Sequence, residues 1–211
     1  MKWNKHSNVE GRHAFLSPSK STWLNDTEED LIKRMCAAYA AQVGTLLHAK
    51  AAEFITYKSR MTRNEKRSVF IYLLANGIPR IVADNLNFDD MFNNLCSYVN
   101  DAVSFRMDPE IPLYFSEECF GTADAIMHDE KTNMLRIHDL KTGVTPAKME
   151  QLYIYTALFF LEYSYVKMSE TNIELRIYKN NEIIIENPGV DIILPIMEKI
   201  KKNSNFVALQ K

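Results

Sequence analysis

Near residue 108 the sequence changes from helical to extended patterns. Before this point two capping boxes predict helix starts, at residues 27–30 and 62–65, because a Thr followed three residues later by Asp or Glu satisfies free amides of a first helical turn. The first helix is predicted to reach about Tyr57 and the second about residue 76. A third is predicted to begin at Asn87, where apolar residues recur on one face. Residues 1–107 are therefore expected to be mainly helical.

Extended segments follow. Strand patterns occupy residues 111–120, 121–128 and 134–140, with a turn-rich break at 129–133. Thr145 and Pro146 predict a helix start, and two strands at 173–178 and 182–185 flank a hairpin turn before a last helix at 190–201. This order predicts an α/β fold with a central mixed β-sheet flanked by helices. We expect a single domain, 1–211, whose sheet lies in residues 108–211.

The composition is that of an ordinary globular protein. Of 211 residues, 46% are hydrophobic and 25% are charged, which excludes collagen-like and largely disordered chains. No apolar run is long enough for a membrane span and the first residues are polar, so a cytoplasmic protein without a membrane partner is expected. The net charge of −2 offers no global attraction to a polyanion, so any nucleic-acid contact requires a local basic patch.

Two predicted strands carry the residues with the clearest chemistry. Gly121-Thr-Ala-Asp124 lies on one, and Asp139-Leu-Lys141 lies on the next. Residues two apart on a strand share a face, so Asp139 and Lys141 point the same way, and strand pairing would bring Asp124 near Asp139. Carboxylates suit Mg²⁺ or Mn²⁺, and a lysine beside them suits phosphodiester hydrolysis. The spacing alone also allows two strand-end aspartates and a surface ion pair.

The same residues resemble motifs of the PD-(D/E)XK nuclease superfamily, in its RecB-like and phage exonuclease branch. There GxxD, a strand carrying DxKTG, and QxxxY on the next helix occur in this order. Here they are Gly121 to Asp124, Asp139 to Gly143, and Gln151 to Tyr155. Upstream, residues 44–48 match the branch's pattern of a glycine before a metal-binding histidine. The resemblance implies a restriction-endonuclease-like core.

The resemblance also implies roles for individual residues. It makes His48, Asp124, Asp139 and the main-chain carbonyl of Leu140 the ligands of Mg²⁺ or Mn²⁺. It makes Lys141 the catalytic lysine, and Gln151 the residue that orients the lysine, the water or the DNA. Tyr155, one turn beyond Gln151, is either a nucleic-acid contact or a core aromatic. Some RecB-like nucleases hold an iron–sulfur cluster on four cysteines, three of them near the carboxyl end. Here the last of the three cysteines is Cys119, so no cluster is expected.

One basic cluster is the best local source of phosphate contacts. It lies between the first two predicted helices and comprises Lys58, Arg60, Arg63, Lys66 and Arg67. Such a run is also typical of a solvated surface, and this alternative stays open.

Three functions are compatible with these features. The first is a metal-dependent DNA exonuclease that processes DNA ends in phage recombination, repair or a CRISPR-like system, in a bacterial or phage-infected cell. A recombination, helicase or CRISPR-type protein partner would suit that role. The alternatives are a structure-selective or restriction-like endonuclease, and an inactive nuclease-fold module that binds nucleic acid or protein. The sequence leaves strandedness, polarity and oligomeric state open.

Overall fold

The first long helix follows its predicted capping box. A computed structural model describes residues 1, 3–143 and 146–211. In it α1 spans Glu28–Thr56; the hydroxyl of Thr27 accepts a hydrogen bond from the amide of Asp30 (3.2 Å), and the Asp30 carboxylate accepts one from the amide of Thr27 (3.1 Å). Before it lie two short 3₁₀ segments, Ser7–Val9 and Pro18–Asn25. The predicted end near Tyr57 is confirmed.

Three further helices complete the N-terminal part. The second capping box opens a 3₁₀ turn, Arg63–Glu65, that continues as α2, Lys66–Ala75. Next comes α3, Arg80–Asp84, which was not predicted because five residues are too few for a helical periodicity. The predicted start at Asn87 is confirmed by α4, Phe88–Ser104.

The second half of the chain forms a five-stranded mixed sheet. Its strands are β1 Asp108–Ser116, β2 Cys119–Asp129, β3 Met134–Leu140, β4 Asn172–Lys179 and β5 Glu182–Glu186, and they lie in sequence order. Every neighbouring pair is antiparallel except β3 and β4, which are parallel and are joined through α5, Glu150–Glu162. The chain ends with α6, Val190–Ala208. The predicted α/β fold with a mixed sheet is confirmed.

Three predicted boundaries were wrong. The first hairpin turns at Glu117 and Glu118, not at residue 120, because Phe120 still pairs with Tyr114 whereas the two polar glutamates leave the ladder. The helix predicted at Thr145 and Pro146 begins only at Glu150; Thr145 lies outside the described residues, and Pro146 precedes the helix. The last helix continues seven residues beyond the predicted residue 201, to Ala208.

Apolar side chains on the two faces of the sheet form separate cores. Alternation along β3 divides its residues between them: Leu135 and Ile137 pack with α5 and α6, whereas Leu140 packs with the N-terminal helices. α1 and α4 cover one face and α5 the other. Among the described helices, none combines the length and apolar character needed to cross a bilayer.

Candidate metal centre

A histidine and two carboxylates meet between α1 and the first hairpin. His48 of α1, Glu110 of β1 and Asp124 of β2 each offer a ligand atom, and these atoms all lie within 4.8 Å of one another. Nδ1 of His48 is 3.3 Å from Oδ2 of Asp124. One imidazole and two carboxylates form a donor set suited to a divalent cation. Two members, His48 and Asp124, are residues that the sequence singled out.

Glu110 was missed, because it stands in no recognisable motif. The register shows its role: the pairs Pro109–Ala125 and Ile111–Ala123 place it across from Asp124 on the neighbouring strand. Its backbone adopts the left-handed conformation, with φ of 53°. This conformation is uncommon for a residue with a side chain and often marks a functional site. Only the strand register, which the sequence does not specify, would have revealed it.

Asp124 also joins β2 to the end of β3. Its Oδ2 accepts a hydrogen bond from the amide of Leu140 at 3.0 Å. The expected proximity of the Asp124 and Asp139 segments is therefore present. Leu140, whose carbonyl the resemblance makes a ligand, is the last residue of β3 and its side chain is buried.

Asp139 belongs to a second, adjoining group. Nζ of Lys141 lies 3.0 Å from both Asp139 oxygens, but it donates a hydrogen bond only to Oδ1. Buried Oδ2 accepts no hydrogen bond from the described residues. The contact confirms that Asp139 and Lys141 share a face. Within the described part of the chain, Asp139 does not join the three-residue cluster around His48.

Gln151 holds the lysine from the other side. Nζ of Lys141 donates a hydrogen bond to Oε1 of Gln151 at 2.7 Å. Nε2 of Gln151 in turn donates to the hydroxyl of Tyr155 at 3.4 Å. These contacts form a continuous polar chain from Asp139 to α5, and they fix the ammonium group beside the buried carboxylate.

Gly44, which precedes His48 in its motif, and Gly121, which begins the GxxD motif, lie where two parts of the fold approach closely. A Cβ atom on Gly44 would lie 3.0 Å from Oγ1 of Thr142, and one on Gly121 would lie 2.9 Å from Cε1 of Tyr155. At these distances a side chain on either glycine would require Thr142 or Tyr155 to shift. Gly44 therefore lets α1 approach the segment after β3, and Gly121 lets β2 approach α5. Tyr155 is half-buried against that glycine.

Burial and mutual repulsion perturb the acidic groups. Burial, and then the charge of Asp124, raise the pKa of Asp139 to about 6, while Lys141 and His48 oppose the shift. Burial and Asp124 also raise the pKa of Glu110, against His48. Burial lowers the pKa of His48, but its hydrogen bond to Asp124 and the surrounding carboxylates outweigh this and raise it overall. The site thus has an excess of negative charge that a cation would balance.

The donor set of His48, Glu110 and Asp124 therefore suits a divalent cation such as Mg²⁺ or Mn²⁺. Solvent reaches the site from two sides. A cleft of about 620 Å³ is lined by Gly44, His48 and Glu110, and a second, of about 670 Å³, is lined by residues that include Lys141 and Gln151. Side chains of the site, among them His48, Glu110, Lys141 and Gln151, therefore line clefts that solvent can enter.

The predicted basic residues lie away from this centre. Lys58, Arg60 and Arg63 are exposed beyond the end of α1, and that end, at Thr56, is eight residues past His48, or about 12 Å at helical rise. Arg60 donates a hydrogen bond to the hydroxyl of Ser104 at 3.0 Å. None of these three residues lines either of the two clefts at the site.

Comparisons with known proteins give no relative on which to base a function. No model of a known protein family matches the chain, and no curated protein has a similar sequence.

Proposed function

We propose that the protein is a divalent-metal-dependent deoxyribonuclease that hydrolyses phosphodiester bonds. The observation that carries this proposal is the cluster of His48, Glu110 and Asp124 beside the ion pair that buried Asp139 forms with Lys141. A structural ion pair alone would not require two further carboxylates and an imidazole at the same place.

Each residue has a task in the proposed reaction. His48, Glu110, Asp124 and Asp139 would hold Mg²⁺ or Mn²⁺, with the Leu140 carbonyl as a further ligand implied by the resemblance. The bound cation supplies charge stabilisation to the phosphate and lowers the pKa of water. Lys141 supplies a fixed positive charge that stabilises the negative charge developing on the phosphate oxygens. Gln151 keeps the Lys141 ammonium in place through its 2.7 Å hydrogen bond.

We propose further that the substrate is a DNA end. The motif resemblance supports an exonuclease in phage recombination, repair or a CRISPR-like system, acting with a recombination or helicase partner. The alternatives are a structure-selective or restriction-like endonuclease and an inactive binding module. End-labelled linear DNA and covalently closed circular DNA, incubated with Mn²⁺ or EDTA, separate them. An exonuclease shortens the linear DNA from its ends and spares the circle, an endonuclease cuts both, and a binding module cuts neither.

The variant Lys141→Met tests the mechanism. Removing one charge-stabilising group costs about 10²- to 10³-fold in the rate of the chemical step, so we expect Mn²⁺-dependent cleavage to fall by that factor. The folded state should persist, because Lys141 is partly exposed. Lys167→Met is the matched control: this lysine also forms an ion pair, with Glu170, but lies on the surface far along the chain. Wild-type cleavage by Lys141→Met would contradict the mechanism.

A further inference from the structure

An exposed pair of aromatic rings lies near the tip of the first hairpin. Tyr114 and Phe120 are cross-strand partners on β1 and β2, with ring centroids 6.4 Å apart and ring planes within 26°. Their exposed fractions are 46% and 66%. Neither residue belongs to either apolar core. The rings therefore contribute little to the packed interior.

The rings share a strand face with the candidate metal centre. The cross-strand pairs on this face run from Tyr114–Phe120 through Pro112–Thr122 to the position where Glu110 lies opposite Asp124. Pro112 and Thr122 are exposed as well, so the face is open to solvent between the rings and the carboxylates. Phe120 is four residues from Asp124, which is about 13 Å along the strand.

We propose that Tyr114 and Phe120, the aromatic platform, stack on unpaired bases of a DNA strand whose phosphodiester lies at the metal centre. This inference rests on the proposed function and names its substrate class. The distance of about 13 Å corresponds to about four stacked nucleotides, and to fewer in an extended strand. In an intact duplex the flat base faces are stacked on their neighbours, so the rings can engage only single-stranded DNA or a frayed end.

Charged side chains next to the platform include Glu117, Glu118 and Lys211. The Tyr114 hydroxyl donates a hydrogen bond to Glu117 at 3.3 Å, and Glu118 forms an ion pair with Lys211. Because the adjacent charges are acidic or already paired, the tip offers little attraction to phosphate. The contribution of the platform to binding should therefore depend weakly on salt, unlike contributions from lysine and arginine.

The test measures binding of a labelled 20-nucleotide oligo-dT in Mn²⁺, in the Lys141→Met background so that the DNA stays intact. Stacking on one aromatic ring is worth about 5- to 150-fold in affinity. We expect Phe120→Ala to weaken binding within this range at both low and high salt. Tyr165→Ala is the matched control, since this tyrosine is 76% exposed and lies in the loop after α5. It should bind as the background does.

A second oligonucleotide, with abasic sites throughout, identifies the interaction. The loss caused by Phe120→Ala should disappear on it, because no base remains to stack. An equal loss on both oligonucleotides, or no loss on either, would overturn the platform. The platform would also be overturned if Phe120→Ala bound DNA normally but changed the oligomeric state of the protein. That result would assign the rings to a protein contact.

Hydrolysis of bis(p-nitrophenyl) phosphate separates this proposal from the function on which it rests. This small diester reaches the metal centre without contacting the platform, so Phe120→Ala in the otherwise wild-type protein should hydrolyse it at the wild-type rate. If the wild-type protein hydrolysed neither the diester nor DNA in Mn²⁺, the proposed nuclease activity would be refuted. The oligo-dT measurements would still decide whether the platform binds bases.

Discussion

Replacing Asp139 by Asn should stabilise the metal-free protein. Asp139 is almost completely buried, one of its oxygens has no hydrogen-bond partner among the described residues, and Asp124 adds repulsion. The amide of Asn has nearly the same shape but carries no charge. The substitution therefore removes the unfavourable charge while leaving an oxygen that can accept the hydrogen bond from Lys141.

The magnitude follows from the pKa of Asp139, which rises from 3.8 to about 6. Because the folded protein binds this proton more tightly than the unfolded chain does, ionisation of Asp139 costs folding free energy. A difference of about two pKa units corresponds to about 3 kcal/mol. The cost begins as pH rises through 3.8 and is complete above about 6. The two proteins should thus differ little near pH 4 and by about 2 to 3 kcal/mol near pH 7.5.

The assay is urea denaturation over this pH range, first in EDTA and then with Mn²⁺. In EDTA near pH 7.5 Asp139→Asn should have the larger free energy of unfolding. With Mn²⁺ at about 100 times its Kd the wild-type protein should gain about 2.7 kcal/mol, and the variant, which lacks one of the proposed ligands, should gain less. Asp101→Asn is the control, since this carboxylate accepts hydrogen bonds from Arg176 and Tyr178 and its loss should destabilise in both conditions.

The opposite order in EDTA would refute this reasoning. If Asp139→Asn were less stable than the wild type near pH 7.5, the charge of Asp139 would already be balanced by Lys141, at 3.0 Å, without a cation. The buried excess of negative charge would then no longer support a metal centre.

Two substitutions test the rest of the site. Glu110→Gln should weaken Mn²⁺ binding, measured by calorimetry, by about tenfold or more, since even residues that hold metal ligands in place contribute 10- to 100-fold to metal affinity. Glu117→Gln at the hairpin tip is the control. If Glu110→Gln bound Mn²⁺ as tightly as the wild type, Glu110 would not be a ligand. Gly121→Ala should lower the free energy of unfolding by about 1 to 3 kcal/mol, because its new methyl meets the Tyr155 ring at 2.9 Å. Adding Tyr155→Ala should remove that clash, so in urea denaturation the double variant should lose less stability than the sum of the two single variants. If the two losses simply added, the contact between residue 121 and the Tyr155 ring would not be the cause of the Gly121→Ala loss.

Local signals in the sequence predicted the secondary structure well where a side chain fixes the backbone directly. Thr27 and Thr62 cap the turns that follow them, so the starts of α1 and of the segment before α2 were correct. The turn at Asn180 and Asn181, both with φ near +60°, fits the preference of asparagine for this conformation. The turn at Glu117 and Glu118 was not predicted, because it depends on which residues of the two strands pair.

The residues of the candidate site were likewise predicted where local signals exist and missed where long-range pairing decides. Strand alternation placed Asp139 and Lys141 on one face, and they are in contact. The resemblance pointed to His48 and Gln151, which the structure brings to Asp124 and Lys141 respectively. Glu110 required the register of β1 against β2, which arises from long-range pairing and has no local signature.

Several unfavourable features lie at the candidate metal centre and beside it. Glu110 adopts a left-handed backbone, and Asp139 keeps a buried oxygen that accepts no hydrogen bond from the described residues. A side chain on Gly44 or Gly121 would crowd Thr142 or Tyr155. Each of these reduces stability or restricts the sequence, and none is needed to build a mixed sheet with helices on both faces. Local conflicts of this kind are expected where binding or catalysis sets the geometry. Since a cation would offset the repulsion among Glu110, Asp124 and Asp139, the same residues that destabilise the metal-free protein would stabilise the metal-bound one.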